Sequence, residues 1–419
     1  MNTQPRTVAE VDALIQRGQH PSEWKISPFE RRFAHVSPTH QQLLHIKQIY
    51  GSHPTVDQSY NNRRANQKAS SAAPPHIYRL GYERVLSEIS QGQGHVFDNG
   101  RVHRFLDLGF SPGGFSNWLL NNNPRASGVG ITLSDTEAGY VYAPDDASAL
   151  GDPNRFTPIF DNIIAFTQNS LSNGTNPIHS VIPGNGNAPE FDLVVAGAFP
   201  TMEGKLPWYH RVQLALSQLY IVLFNLQNNG SAMFVINTKP FVWQVEVLAI
   251  LKNCFRSVET AKGSIHKTRT SCYVVCKGFQ RSNPSETTFI SQYLRSLRAT
   301  LLTLAQISAA QIDVDPEDSM PSISGRSADD IFNAEGRFIL DLFQPRWKEQ
   351  YDAIHEELKK VLESGHTGAG NSARGANRDS GMDWRNPRPT GGQSTGVPSR
   401  KPGFDFGRSA GGSNSRNWR

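Results

Sequence analysis

Two runs in the middle of the chain are almost entirely apolar, FDLVVAG at 191–197 and SAMFVIN at 231–237. Apolar runs of this length, without alternation between polar and apolar residues, are typical of strands that are buried on both faces. Such strands occur in parallel sheets whose two faces are covered by helices. The sequence therefore predicts a buried sheet that contains these two segments.

The same kind of segment recurs throughout residues 76–280. Further strand-like runs lie at 105–110, 127–133, 156–160, 256–261 and 272–279, and helical periodicity lies between several of them, at 115–120, 212–226 and 242–251. Alternating β and α elements predict a parallel or mixed sheet covered by helices. We therefore expect an α/β domain at 76–280 with a doubly wound, mostly parallel, seven-stranded sheet.

The segment FLDLGFSPGGFSNWLL at 105–120 carries the strongest chemical signal. A strand ends near Asp107, a glycine-rich turn follows, and a helix begins at Phe115. Glycines let the backbone come close to a ligand, and the free amides at the start of the helix attract a polar or anionic group. The turn lacks the spacing G-x-G-x-x-G and also the Gly-Lys-Ser/Thr of a P-loop, which argues against NAD and ATP.

The pattern D-x-G-x-x-P-G-G-F-S after a strand resembles the S-adenosylmethionine-binding motif of the FtsJ-like family, the RNA ribose 2′-O-methyltransferases. The resemblance continues in GVGITL at 128–133, FDLVV at 191–195, MFVINTKPF at 233–241 and CYVVCKGF at 272–279, and it covers about half of the chain. It implies a Rossmann-like methyltransferase fold and S-adenosylmethionine as cofactor. In this turn it assigns cofactor contacts to Asp107, Gly109, Ser111, Pro112, Gly113, Gly114 and Phe115.

The resemblance implies two more cofactor contacts, after the second and third strands. Thr132 stands near the place where the family has an acidic residue for the cofactor ribose, and Asp135 follows three residues later. A threonine can still make one hydrogen bond there, without the assistance of a charge. Asp161 stands where the family has an acidic residue near the adenine amino group, although an aspartate in a surface turn is an equal alternative.

The family's catalytic set is Lys-Asp-Lys-Glu, and in this chain it is incomplete. Lys239, just after the fifth strand, matches the central lysine. Gly197 occupies the aspartate position. The late glutamate position falls on Ser271 or Cys272, and the early lysine position on Glu83 or Arg84, depending on register. The ribose hydroxyl is a weak acid, so a lysine that takes its proton needs neighbours that set the pKa of the lysine.

Two functions from different classes follow from this incomplete set. In the first, Lys239 works with relocated partners, such as Glu203, Arg84 or Lys262, in a methyltransferase that acts on RNA at a ribose 2′-hydroxyl. In the second, the domain is catalytically inactive and binds cofactor, RNA or a protein partner. A protein or small-molecule acceptor also stays open, because the motif reports the cofactor and not the acceptor.

The segments around the α/β domain differ from it in composition. Residues 1–75 predict a helical or irregular extension with helices at 8–17 and 40–50 and a polar linker. Residues 281–363 predict a helical extension, with helices at 289–307, 328–342 and 347–362, which we expect to pack on the domain. Residues 364–419 are rich in Gly, Ser, Asn, Pro and Arg and predict a disordered tail.

Positive charge is concentrated in that tail. The chain has 42 Lys and Arg and 37 Asp and Glu, and residues 365–419 hold nine of the basic residues and three of the acidic ones. The rest of the chain is therefore close to neutral. Arginines alternate with aromatic residues in DWRNPR, GFDFGR and NWR, a combination that contacts phosphates and stacks on bases. Composition alone fits a solubilising disordered end equally well, but together with the FtsJ-like motifs it leads us to expect that this tail helps to bind RNA.

The sequence also argues against membrane proteins, secreted proteins and metal-binding proteins. It has no run of 18 apolar residues and no signal-peptide pattern at its start, so we expect neither a membrane segment nor secretion, and a cytoplasmic or nuclear location. The cysteines Cys254, Cys272 and Cys276 predict buried thiols, since their number and spacing suit neither a disulfide scaffold nor a zinc site. We expect no metal ion.

Overall fold

The computed structural model of the protein describes residues 5–18, 24, 26–53, 75–134, 142, 144, 148–182, 191–200, 207–281, 287–310, 320 and 322–366. Most of the polar linker, Asp135, Glu203 and the basic tail from residue 367 onward lie outside the described residues. The predictions made for these parts of the chain therefore stay predictions.

A mixed seven-stranded sheet forms the centre of the fold. Its strands are β1 (Arg104–Leu108), β2 (Ser127–Thr132), β3 (Phe156–Phe160), β4 (Phe191–Ala196), β5 (Leu226–Asn237), β6 (Phe255–Ala261) and β7 (Ser271–Phe279). The order across the sheet is β3-β2-β1-β4-β5-β7-β6. The strands from β3 to β5 pair in parallel, and β7 runs antiparallel to both of its neighbours. The predicted number of strands and their mainly parallel order are confirmed.

Successive residues of the central strands pack into two different apolar clusters. In β4, Val194 belongs to the cluster on one face of the sheet, whereas Leu193 and Val195 belong to the cluster on the other face. This alternation follows from the two-residue period of a strand. Both faces are therefore covered, which explains why the runs at 191–197 and 231–237 carry so few polar residues.

Helices cover both faces of the sheet. They are α1 (Val8–Arg17), α2 (Pro28–Val36), α3 (Pro38–Ser52), α4 (Pro75–Gly92), α5 (Gly114–Asn122), α6 (Ile163–Leu171), α7 (Trp208–Asn225), α8 (Val242–Cys254), α9 (Thr287–Ala309) and α10 (Ala328–His366). Residues of α4 and α5 belong to one cluster, and residues of the other helices belong to the cluster on the opposite face. The doubly wound arrangement is thus confirmed, and the amphipathic C-terminal helices pack on the core.

The structure corrects several helix predictions. Helices α2, α4 and α6 form where the sequence analysis marked no helix, and α10 is one continuous helix where two were predicted. Pro345 lies inside α10 and cannot donate a backbone hydrogen bond. The helix continues because Phe343 and Trp347, on either side of the proline, are fully buried in the core.

The three cysteines are buried and free, as predicted. Burial raises the pKa of the Cys272 thiol to about 12, so this group stays protonated at neutral pH. Among the described residues, no helix is both long and apolar enough to cross a membrane. In the same part of the chain, no three His, Cys, Asp or Glu side chains are grouped so that they could hold a metal ion.

Candidate functional site

A cavity of about 580 Å³ opens at the carboxyl ends of β1, β4 and β5. Its walls include the glycine-rich turn after β1, residues 196–200 after β4, residues 234–237 of β5, and residues 269–271, which lead into β7. In open α/β sheets, ligands bind in the crevice beyond the carboxyl ends of the strands. The volume lies within the range of pockets that hold small molecules and cofactors.

The glycine-rich turn brings most of the predicted cofactor residues to this cavity. Gly109, Ser111, Pro112, Gly114 and Phe115 line the cavity. Gly109 has φ +81°, and a Cβ there would lie 2.4 Å from Cα of Ala198, so only glycine suits the position. Gly113 does not line the cavity; with φ +98° it precedes α5, and a Cβ there would meet the Leu150 side chain at 2.5 Å. The Ser111–Pro112 peptide bond is cis.

Asp107 lies behind the turn and is almost fully buried. The Ser116 hydroxyl donates a 2.7 Å hydrogen bond to its Oδ2, which ties the end of β1 to the start of α5. Oδ1 is buried and has no hydrogen-bond partner in the described part of the chain. Burial raises the pKa of Asp107 to about 7, and the hydrogen bonds from Ser116 oppose this shift. Asp107 therefore supports the turn and keeps one free acceptor atom beside it.

Thr132 is the last residue of β2, and Asp161 directly follows β3. Neither residue lines the cavity. They are adjacent, because the amide of Asp161 donates a 2.8 Å hydrogen bond to the Thr132 carbonyl. The Asp161 carboxylate accepts a 2.6 Å hydrogen bond from the amide of Asn162, just before α6. The structure thus brings the two predicted residues together. In the sheet they lie on the opposite side of β1 from β4 and β5, whose ends form part of the cavity wall.

Lys239 follows β5 as predicted, but it does not line the cavity. Asn237 and Phe241, two residues away on either side, both do. In the described part of the chain, no carboxylate lies within 4.0 Å of the Lys239 ammonium. The backbone here is held to the lead-in of β7, since the amide of Thr238 donates a 2.8 Å hydrogen bond to the Thr270 carbonyl.

Lys239 lies instead in a group of lysines that the sequence analysis did not assemble. Burial first, and then the charges of Lys239 and Lys262, lower the pKa of Lys47, on α3, to about 7, while the charge of Glu30 opposes this shift. Burial also lowers the pKa of Lys262 to about 8. The Lys262 ammonium donates hydrogen bonds to the carbonyls of Arg269 and Ser271 (3.0 Å for the latter). We name Lys47, Lys239 and Lys262 the lysine group.

The remaining positions of the incomplete catalytic set do not converge on Lys239. Gly197 and Ser271 line the cavity, whereas Cys272 points into the core. Glu83 accepts a 2.7 Å hydrogen bond from the Asn117 amide, and Arg84 pairs with Glu88 at 3.0 Å. Lys47 was not predicted as a site residue, because α3 lies far from β5 in the sequence and carries no recognised motif. Among the predicted relocated partners, Lys262 acts on the pKa of Lys47, as Lys239 does.

The charged side chains that line the cavity in the described part of the chain are all basic. Arg211 and Arg269 line the cavity, and the described lining contains neither Asp nor Glu. His266 also lines it, and burial lowers the pKa of its imidazole to about 4, so this ring is neutral at pH 7. The Tyr273 hydroxyl and His266 Nδ1 are 3.2 Å apart. The cavity is therefore suited to neutral or anionic groups.

Residues 86–279 match the model of the family described as FtsJ-like methyltransferase. The matched segment contains the glycine-rich turn, Lys239 and all seven strands from end to end. The chain carries an FtsJ-like methyltransferase domain. The prediction of this family is thereby confirmed, together with its fold.

Solved structures also resemble the chain. A Plasmodium falciparum protein described as a ribosomal RNA methyltransferase has 18% identity and a TM-score of 0.33, over 48% of this chain and 97% of that one. The fibrillarin pre-rRNA processing protein of Methanococcus jannaschii has 10% identity and a TM-score of 0.26, over 42% and 67%. Human methyltransferase-like protein 13, solved with S-adenosylhomocysteine, has 13% identity and a TM-score of 0.29, over 54% and 92%. No curated protein matches the sequence significantly.

Proposed function

We propose that the protein is an S-adenosylmethionine-dependent methyltransferase that acts on RNA at a ribose 2′-hydroxyl, with Lys239 as its central catalytic residue. The observation that carries the proposal is the cavity itself. It joins the glycine-rich turn to the segments after β4 and β5, and its described wall is cationic without a carboxylate. A polyanion with a neutral sugar hydroxyl suits such a wall, whereas a cationic acceptor does not.

The residues of the turn are suited to hold the cofactor. Gly109 and Gly114 bring the backbone to the cavity, and the Gly113 cap of α5 has no side chain to occupy the first amides of the helix. The free Oδ1 of Asp107 is an acceptor behind the turn. Thr132 and Asp161 would contact the ribose and the adenine beyond β1. When bound, S-adenosylmethionine supplies a methyl group on a positively charged sulfur, which an oxygen nucleophile can attack.

The lysine group supplies the chemistry that the hydroxyl needs. A ribose hydroxyl must lose its proton as it attacks, and a lysine accepts a proton well when its pKa lies near the working pH. Burial, followed by the charge of Lys239, brings the pKa of Lys47 to about 7. Lys239 lies between two residues of the cavity wall, so rotation of its flexible side chain would carry the ammonium to the cavity.

The basic tail at 365–419 would add affinity for RNA outside the domain. It holds nine basic and three acidic residues. Contacts of this kind depend on charge and weaken as salt increases. Deletion of the tail should therefore reduce RNA binding far more than cofactor binding.

A second candidate function is binding of cofactor and RNA without methyl transfer. It is favoured by one observation: in the described part of the chain no carboxylate lies within 4.0 Å of Lys239, and none lines the cavity. Loss of groups that orient a catalytic base lowers rates by orders of magnitude. The two candidates share the same pocket and differ only in turnover.

One set of measurements separates them. Calorimetry with S-adenosylmethionine and S-adenosylhomocysteine tests the pocket, and transfer of a tritiated methyl group to total RNA, followed by digestion to nucleosides, tests the reaction and the ribose position. We expect binding of both ligands, labelled 2′-O-methylnucleosides, and loss of label with Lys239→Ala. Lys348→Ala is the control, since Lys348 is an exposed lysine of α10 that pairs with Asp352. The second function would be favoured if the protein bound the cofactor, transferred no labelled methyl group to any RNA, and gave the same result with Lys239→Ala.

A further inference from the structure

We propose that the aromatic wall of the cavity, formed by Phe199, Phe241 and Trp243, receives one unpaired nucleobase of the acceptor RNA. This inference rests on the proposed function and deepens it. It states that the substrate is single-stranded, or flipped out of a helix, at the nucleotide that is read. The wall lies after β4 and β5, on the other side of β1 from Thr132 and Asp161.

The three rings present apolar surface to the cavity. Phe199 is 47% exposed, so a large part of its ring is open to a ligand in the cavity. Phe241 and Trp243 lie at the start of α8 with ring planes only 6° apart and centroids separated by 6.5 Å. Near-parallel aromatic rings offer faces on which a planar base can stack, whatever its sequence.

Two arginines stand ready for the phosphates that flank such a base. Arg211, on α7, and Arg269, before β7, line the cavity and are exposed. In the described part of the chain neither side chain makes an ion pair. Guanidinium groups bind phosphate oxygens in a planar, two-pronged arrangement. Charge and ring placement thus agree on a nucleotide as the occupant.

The same wall holds a hydrogen-bond acceptor and a donor that lack partners. Gln244 lines the cavity and is 1% exposed; its Nε2 donates to the Asn237 carbonyl, which fixes the amide and leaves Oε1 buried without a partner among the described residues. Trp243 Nε1 is likewise buried and unpartnered there. Buried polar atoms without partners are costly, so both are satisfied best by a ligand. A base edge carries donors and acceptors side by side.

The loop that carries Phe199 is held in place by a side chain of α7. Gln218 accepts a 2.9 Å hydrogen bond from the amide of Ala198 and donates a 3.0 Å hydrogen bond to the Ala198 carbonyl. The amide and the carbonyl of Ala198, the residue before Phe199, are therefore both held. A ring carried on a held backbone loses less entropy when a base stacks on it than a ring on a free loop does. A base inside a duplex has both faces covered by its neighbours, so only an unpaired base can use this wall.

Equilibrium binding of a fluorescein-labelled single-stranded oligoribonucleotide, and of the same strand in a perfect duplex, tests the inference. The full chain is used with saturating S-adenosylhomocysteine, so that the cofactor site is filled and the tail contributes equally in all variants. We expect a preference for the single strand. Phe199→Ala and Trp243→Ala should each weaken single-strand binding about tenfold, the usual range for one stacked base, and leave duplex binding unchanged.

Control variants keep the outcome clear. Phe199→Tyr should retain binding because it keeps the ring, and Leu302→Ala should change nothing, since Leu302 is an exposed apolar residue of α9 away from the cavity. Equal losses for single strand and duplex, or no loss, would overturn the inference, as would a parallel loss of affinity for S-adenosylhomocysteine. If RNA is methylated normally by Phe199→Ala with unchanged KM, the proposed function stands and this inference alone fails. A chain that binds no cofactor refutes the proposed function first.

Discussion

The Trp347 indole donates a 2.9 Å hydrogen bond to the carbonyl of Thr238, the residue immediately before Lys239. Both residues are buried, and the His40 ring lies against the indole with centroids 4.2 Å apart. A C-terminal helix and an N-terminal helix therefore meet at the backbone that carries the proposed catalytic lysine. The extensions around the methyltransferase domain contribute to the candidate site as well as to the core.

Trp347→Phe should loosen this backbone. The change removes the N–H donor and leaves the buried Thr238 carbonyl unpaired, which costs about 1–3 kcal/mol. We expect a lower free energy of unfolding in urea and, in addition, a fall in the rate of methyl transfer, because Lys239 would no longer be held in place.

Phe343→Leu is the matched control. Phe343 is buried on the same helix, with its ring 5.9 Å from that of Trp347, so the change removes packing and leaves the hydrogen bond. It should destabilise the protein without a comparable loss of rate in the folded enzyme. If both variants, compared where they are fully folded, lose activity equally, the hydrogen bond has no special role.

The lysine group predicts a dependence of stability on pH. The pKa of Lys47 is lowered from 10.5 to about 7 in the folded protein, by burial first and by Lys239 next. Between these values the unfolded chain binds more protons than the folded one, so the free energy of unfolding should rise as pH increases from about 7 toward 10. Lys47→Met should raise stability at pH 7 and flatten this rise.

Lys47→Arg provides the comparison, because arginine keeps its charge throughout this range. Chemical unfolding at several pH values measures all three proteins. The arginine variant should be the least stable of them above pH 8, where wild-type Lys47 can lose its proton. A wild-type curve that is flat from pH 7 to 10, with no change in either variant, would contradict the effect.

The sheet could be predicted from the sequence because strands buried on both faces leave an unmistakable run of apolar residues. All seven strands appear at the predicted places, although β5 begins earlier, at Leu226. Helices with a weaker pattern were missed. In α2, Ser27 and Pro28 form a good helix start, with the Glu30 amide donating to the Ser27 hydroxyl, yet short segments of this kind depend on tertiary packing.

The candidate site was predicted in part for a similar reason. The glycine-rich turn is local, so its cavity-lining residues could be read from one motif. Arg211 and Arg269 come from separate elements, and only the fold brings them to one cavity, just as only the fold brings Lys47 close enough to Lys239 for their charges to interact. A single sequence carries no signal for such a meeting of distant residues, and the aromatic wall was missed for the same reason.

Asp107 gives a pH dependence of the opposite sign. Its pKa is raised from 3.8 to about 7, mainly by burial. The folded protein therefore binds more protons than the unfolded chain between these values, and the free energy of unfolding should fall as pH rises from about 4 to 7. Asp107→Asn should remove this slope, as measured by chemical unfolding across that range.

Ser116→Ala tests the cause. The Ser116 side chain donates to Asp107 and so favours its charged form. Without this donor the pKa of Asp107 should rise further, and the fall in stability should extend above pH 7. A slope that survives in Asp107→Asn would assign the effect to another group.

Gly197→Asp asks whether the missing carboxylate limits catalysis. Gly197 lines the cavity, and a Cβ there would lie 3.5 Å from the Leu108 carbonyl oxygen, an ordinary contact, so a side chain can be accommodated. The new carboxylate would stand beyond β4, at the aspartate position of the family's catalytic set, where it could orient Lys239. Since such groups are worth orders of magnitude in rate, we expect methyl transfer to RNA to increase at least tenfold.

Gly197→Asn has the same shape without the charge and should give no increase. The contrary result is an aspartate variant that folds and binds S-adenosylmethionine and yet is no faster than the asparagine variant. That result would show that the missing carboxylate does not limit catalysis by Lys239, and it would favour binding without turnover.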